Sequence, residues 1–177
     1  ANMLLYGVPG SGKTVVTRFV LGQLREKGLE MGQLVNTYEI NCRNVDTKYR
    51  VVQTIASQLA QRGDPPVPFT GWPTDRVIET LIMRMSRAGG VHIIVLDEVD
   101  NLVDRAGDDL LYALTSLNTV LDNGRCSIIG ISNDLHFTQH LDPRVSSRLS
   151  QEDVVFHPYV ATEIQNILGE RAATVSY

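Results

Sequence analysis

Cysteine is scarce in this sequence, with Cys42 and Cys126 alone. Neither has a second Cys or a His at ligand spacing, which argues against a disulfide framework or a zinc site and for a reducing, intracellular setting. Long apolar runs are absent, so no stretch approaches the roughly 18 residues of a membrane span. The chain opens Ala1-Asn2-Met3 and passes straight into a strand pattern, with no secretory signal visible. The four histidines show no metal-ligand clustering; His136 and His140 stand four apart without a third ligand and read as surface residues. A basic excess is also missing. Sixteen Lys and Arg face twenty Asp and Glu, a net charge of −4, which argues against a general nonspecific nucleic-acid binder but leaves room for a local basic patch. No internal repeat or low-complexity tract occurs. What remains is a chain of 177 residues, 43% apolar and 20% charged, suited to one packed domain of ordinary size.

The most specific feature present is Gly7-Val8-Pro9-Gly10-Ser11-Gly12-Lys13-Thr14, which fits the phosphate-binding pattern G-x-x-x-x-G-K-[ST]. The apolar Leu4-Leu5-Tyr6 precedes it as a strand would, and an amphipathic helix pattern comes after it, with Val16, Phe19, Val20 and Leu24 on one face. The glycines allow backbone N–H groups to turn inward on phosphate oxygens, and the helix N-terminus adds partial positive charge. Lys13 is expected to reach the β- and γ-phosphates and the Thr14 hydroxyl to bind Mg²⁺. With this loop only seven residues into the chain, no room is left for a segment covering the nucleotide base, so a fragment of a longer protein is expected.

Helix one is expected from about Thr14 to Lys27 with Gly28 as its stop, then a strand over Leu34 to Ile40 and a polar loop through Asn41-Cys42-Arg43-Asn44. Asp46 or Thr47 should cap a second helix with Val52, Ile55, Ala56 and Leu59 buried. Asp64 to Pro73 holds four prolines in ten residues and cannot be regular structure. Its Phe69 and Trp72 either pin the loop to the core or form an exposed contact surface. Thr74 should cap a third helix with Val77, Ile78, Leu81, Ile82 and Met85 inward, ended by Gly89-Gly90. The unbroken apolar run from Val91 to Leu96 suits a central parallel strand buried on both faces, and it ends in Asp97-Glu98. A fourth helix is expected from Asp108 to Leu121, a strand over Cys126 to Ile131, a short helical stretch from Pro143, a strand at Val154-Val155-Phe156, and a last helix from Thr162 or Glu163 to about Ala173. Strands alternating with helices give an α/β fold with a mainly parallel sheet.

Hydrolysis needs acids beside the cradle. Asp97 suits Mg²⁺ and Glu98 suits polarising the attacking water, because carboxylates at the C-terminal ends of parallel strands fall in the ligand crevice. Asp97 could instead merely cap the segment after its strand. Asn133, after the next buried strand, could contact the γ-phosphate or simply form a turn. Arg144 and Arg148 share a helix face and could reach a neighbouring molecule's nucleotide, or pair with Asp142 or Glu152.

Taken together, the P-loop, Leu96-Asp97-Glu98-Val99-Asp100, Ser132-Asn133 and the segment Leu141 to Leu149 resemble the AAA+ ATPases. Pro143-Arg144-Val145-Ser146-Ser147-Arg148-Leu149 narrows the resemblance to the initiator clade, the archaeal origin-recognition and helicase-loader proteins. Tyr38 to Cys42, Asp108 to Leu114 and the loop before Pro73 are also similar to that group. The resemblance implies a P-loop NTPase domain of three αβα layers over residues 1–158, with an initiator-type insertion at about 47–73 and the start of a truncated helical lid at 159–177. It implies a cradle of Val8, Pro9, Gly10, Ser11, Gly12, Lys13, Thr14 and Val15 with Tyr159 beside it. Thr14 and Asp97 would hold the metal, Glu98 and Asn133 would act in turnover, Arg148 would be the arginine finger and Arg144 a second intersubunit arginine. Phe69, Gly71 and Trp72 would contact DNA.

The implied function is an ATPase that hydrolyses slowly and acts as a replication initiator, with ATP or ADP and Mg²⁺ as cofactors. Origin double-stranded DNA, the replicative helicase and other initiator subunits would be its partners, in the cytoplasm at the nucleoid. Two alternatives stand beside it: another AAA+ ATPase of clamp-loader or signalling type, and a DNA- and protein-binding module that keeps nucleotide only for stability. Against the family pattern, the upstream adenine-contact segment, the sensor 2 arginine and the winged-helix domain are expected to fall outside this stretch of chain.

Overall fold

A computed structural model describes residues 1–45, 47–159, 163, 165 and 166. Five strands, β1 (Met3–Gly7), β2 (Val35–Asn41), β3 (Val91–Asp97), β4 (Arg125–Ser132) and β5 (Glu152–Phe156), form one parallel sheet in the order β2-β3-β4-β1-β5. The chain therefore passes from β1 to the far edge at β2, returns through β3 and β4, and finishes at the other edge. Between the strands run α1 (Lys13–Glu30), α2 (Lys48–Gln58), α3 (Thr74–Ala88), α4 (Val99–Ala106), α5 (Asp109–Thr115) and α6 (Pro143–Leu149). This is the α/β architecture with a parallel sheet expected from the alternating pattern, with helices on both faces as the resemblance implied.

The run from Val91 to Leu96 is buried on both faces because the sheet separates two apolar layers. Ile93 and Val95 pack toward α1 with Leu5, Leu21 and Ile131, whereas Ile94 and Leu96 join the larger layer under α2 to α6. That alternation is the period-two geometry of a strand applied to a run with no polar side to show. His92, the run's one polar residue, is fully buried, and it is bonded on both ring nitrogens, to the Tyr38 hydroxyl at 2.9 Å and the Met85 carbonyl at 3.1 Å.

Several expectations need correction. The apolar stripe of α1 is not its buried face: Val16, Phe19, Val20 and Leu24 are all more than 40% exposed, and Lys13, Thr17, Leu21 and Gly28 turn inward. The P-loop fixes this rotation. Lys13 must point into the cradle at the helix start, and residues four and eight positions on share its face. Helix α1 also runs past Gly28 to Glu30. Gly28 serves packing instead, since a Cβ there would lie 2.7 Å from a Val35 methyl.

The helix expected over Asp108 to Leu121 breaks into α5 and a 3-10 turn at Leu117–Thr119, although Leu110, Leu114, Leu117 and Leu121 are all buried as expected. Helix α4 was not expected; it is two turns long, with Val99 and Leu102 buried and Val103 packed beside them on the same face. Thr74 is the first helical residue of α3, with Pro73 at the cap position and no side-chain cap bond. Thr47 caps α2, its hydroxyl accepting from the Arg50 N–H; Asp46 lies outside the described residues. The expected lid helix, the second expected domain, falls almost wholly outside them as well. Among the described residues no helix is long and apolar enough to cross a membrane, and no group of three potential metal ligands occurs. Both cysteines are buried and free.

Candidate nucleotide cleft

β1 ends at Gly7, and the chain turns over Val8 to Gly12 before α1 begins. Gly10 and Gly12 take φ of 80° and 88°, in the left-handed region that a side chain disfavours. The Ser11 N–H closes the turn onto the Val8 carbonyl at 3.3 Å. Lys13 is buried, its ammonium donating to the Gly7 carbonyl at 2.7 Å and the Val8 carbonyl at 3.0 Å. Burial lowers its pKa below the ordinary lysine range, while the nearby Asp97 and Asp100 carboxylates favour the charged form.

β3 lies two strands from β1, yet its end faces the same cleft because all strands run parallel. The Thr14 hydroxyl donates to Asp97 Oδ2 at 2.9 Å, joining residues 83 positions apart. The other Asp97 oxygen accepts the Glu98 N–H at 3.0 Å. A hydroxyl and a carboxylate at this distance are a donor set suited to a hard, oxygen-preferring cation such as Mg²⁺, which keeps several waters and takes one or two carboxylates. The alternative role for Asp97, as a cap for α4, belongs to Glu98, which occupies the cap position with φ 54° and ψ 47°. Asn133, immediately after β4, completes the opening: a cleft of about 320 Å³ is lined by the loop residues Pro9, Gly10 and Gly12, by Lys13, Thr14 and Val15, and by Asp97, Glu98 and Asn133.

The structure thus brings together nearly every residue expected of the cradle and its acids. Ser11 is buried beneath the loop, and Val8 is exposed on its shoulder. Tyr159 also arrives here, its hydroxyl 2.7 Å from where a Gly12 Cβ would stand. Arg144 and Arg148 do not line this cleft. Both guanidinium groups lie over the ring of Tyr112, at 5.7 and 4.7 Å from its centroid. Arg144 pairs with Asp142, the surface alternative for this arginine, at 3.0 Å, and holds that carboxyl down to about 2. Arg148 donates to the Ser116 hydroxyl.

A larger cavity, about 540 Å³, lies between α2 and the proline-rich loop. It has neither acids nor a glycine turn, so it is not the centre of the chemistry. It marks a second face. Val67 is buried and anchors the loop, Phe69 is 67% exposed, Gly71 is exposed, and Trp72 is half-buried against the core. The two alternatives for the aromatics therefore divide between them. Each ring carries an arginine: Arg50 sits 4.7 Å from the Phe69 centroid and Arg76 3.9 Å from that of Trp72. Sequence reasoning missed both arginines, because the pairing joins helix surfaces to a loop 19 and 4 residues away with no periodic signal.

Known proteins share this geometry. Residues 1–135 match the family model described as AAA domain. An ORC1-type DNA replication protein of Methanoregula boonei is 45% identical over 98% of this chain, and that of Pyrococcus abyssi is 44% identical over all of it. The chain spans 42% of each relative's length. Among solved structures, the Aeropyrum pernix ORC1 protein in complex with DNA superposes with a TM-score of 0.88 and 43% identity, over 98% of this chain and 44% of that one. Matched in sequence and in fold over nearly its full length, the chain belongs to the AAA+ ATPases, in the initiator clade of ORC1-type DNA replication proteins.

Proposed function

We propose that this domain is the ATP-binding and hydrolysing core of a DNA replication initiator, in which the bound nucleotide sets affinity for origin DNA and for partners. The observation that carries the reading is the Thr14–Asp97 contact at the mouth of the P-loop, with Glu98 and Asn133 on the same cleft. Lys13 and the loop N–H groups bind the phosphates, Glu98 orients and polarises the attacking water, and Asn133 senses the γ-phosphate. Mg²⁺, held by Thr14 and Asp97, would neutralise charge on the phosphate oxygens. Arg148, with Arg144 beside it, would act on the nucleotide of an adjoining subunit. Tyr159 would border the nucleotide from the loop after β5.

The DNA-facing surface is the loop tip Phe69, Gly71 and Trp72 with its two stacked arginines. Charge distribution supports it: residues 41–87 carry seven Lys and Arg against four Asp and Glu, whereas the remaining residues carry nine against sixteen. A locally basic, aromatic face on an acidic protein is the pattern expected of directed rather than general nucleic-acid contact. The Aeropyrum pernix ORC1 protein was solved in complex with DNA, which supports DNA as the ligand; double-stranded origin DNA is the form proposed. The replicative helicase and other initiator subunits complete the proposed partners, at the nucleoid in the cytoplasm.

The deciding experiment compares origin-DNA binding and ATP turnover of the full-length protein and its Glu98→Gln variant. The variant should bind ATP normally, fail to turn it over and stay in the ATP-bound affinity state. Hydrolysis at the parent rate would remove Glu98 from its role. Tightly retained ADP without turnover in the parent would favour the module that uses nucleotide only for stability.

A further inference from the structure

Glu98 is the only non-glycine residue with positive φ among the described residues, and it occupies the left-handed region at the head of α4. A residue with a side chain is strained there, so the surrounding contacts must hold it. The Asp97 carboxylate accepts its N–H, Asn101 Nδ2 donates to its Oε2 at 3.3 Å, and the neighbouring Val99 is fully buried. Two residues past Glu98, in the first turn of α4, Asp100 Oδ1 accepts the backbone N–H of Asn133 at 3.3 Å, across 33 positions of chain. The strained turn that aims Glu98 is therefore tied directly to the segment carrying Asn133.

We infer that Asp100 is a positioning residue that couples Glu98 to Asn133, so that the water-polarising carboxylate and the γ-phosphate-sensing amide move as one unit. This rests on the roles proposed above for those two residues. An acid in the first turn of a helix is ordinarily explained by the helix dipole. That explanation leaves the Asn133 N–H without a reason to be the partner. The coupling requires an acceptor oxygen at this place, and a negative charge is secondary to it.

The test uses the full-length protein with Asp100→Ala, Asp100→Asn, Asn133→Ala and the Asp100→Ala/Asn133→Ala pair. Thermal melting reports folding, and ATP affinity, ATP turnover and amide exchange at Asn133 are measured. Asp100→Ala should slow turnover about tenfold, a coupling of ordinary size, keep ATP affinity within about twofold, and speed exchange at Asn133. Asp100→Asn retains an acceptor oxygen and should keep most of the parent turnover and protection. The double variant should lose less than the product of the two single losses, because part of the Asp100→Ala effect runs through the Asn133 amide. Asn as damaging as Ala, multiplied effects in the double variant, or lost ATP affinity through Lys13 would each overturn the coupling. If Asn133→Ala leaves turnover unchanged, the sensing role of Asn133 fails, and exchange at its amide still decides whether Asp100 holds it.

Discussion

Two faces of this domain hold their polar side chains in opposite ways. At the nucleotide cleft the groups come from distant parts of the chain, and they meet because parallel strands end on one edge of the sheet: Thr14 after β1, Asp97 and Glu98 at the end of β3, Asn133 after β4. On the face formed by α2, α3 and the proline-rich loop, the polar groups come from one contiguous stretch and are engaged with one another. Arg84 is buried and donates to the carbonyls of Ala56 at 2.6 Å and Pro65 at 2.7 Å. Arg87 grips Asp64 with two nitrogens and holds its carboxyl well below the usual range. Gln53 and Tyr49 donate to the carbonyls of Val67 and Pro68. The cleft is a site built to exchange ligand contacts. The other face is a platform whose base is held by these bonds, with Phe69 exposed at its tip and Trp72 half-buried beside it.

That contrast predicts separable defects. The largest is at the cradle: Lys13→Ala should weaken nucleotide binding by about 100-fold or more, as loss of a buried charge-assisted donor implies, with DNA contacts of the loop intact. Nucleotide titration measures it; near-parent affinity would show that Lys13 does not hold the phosphates. Glu98→Gln should lower turnover by about 100-fold while affinity holds, read by steady-state phosphate release. Trp72→Ala should weaken origin-DNA binding by roughly tenfold, consistent with about 1–3 kcal/mol for an aromatic contact to nucleic acid, and leave ATP affinity alone. Photo-crosslinking from position 72 sharpens this, since no crosslink in the full-length protein would place the DNA elsewhere.

Arg84→Met should loosen the platform, costing about 1–3 kcal/mol of stability through unsatisfied buried carbonyls and reducing DNA affinity more than nucleotide affinity. Equal loss of both would show that the two faces are not independent. The smallest effect lies in the core between them. Burial lowers the pKa of His92 below the ordinary value of 6.5, the backbone carbonyls of Met85 and Gly89 opposing the shift in part. The unfolded chain therefore binds this proton more readily. Stability from neutral His92 is complete above about pH 6.5 and declines as pH falls toward the lowered folded value. Chemical denaturation at pH 7.5 and 5.5 should show the decline, and His92→Gln should flatten it.

Legibility in the sequence tracked the range of the interactions. The P-loop was readable because its glycines, Lys13 and Thr14 act within one turn of chain, where residue type dictates backbone geometry. Asp97 and Glu98 were readable because an apolar run sets where a strand ends. The exposed stripe of α1 misled, because an apolar period reports which side chains share a face, not which face the rest of the molecule covers. Helix α4 escaped notice because its start depends on the Glu98 conformation, held by contacts with Asp97 and Asn101 rather than by a capping residue type.

Local residue chemistry and period were enough to place the five strands, the glycine-rich turn with Lys13 and Thr14, and the acids Asp97 and Glu98 at the end of β3. The strand order, the rotation of α1, the arginines stacked on Phe69 and Trp72, and the bond from Asp100 to Asn133 came from packing in three dimensions. The side-chain contacts among them join residues up to 33 positions apart at 3.3 to 4.7 Å, and such distances are set by packing of the whole sheet and its two layers.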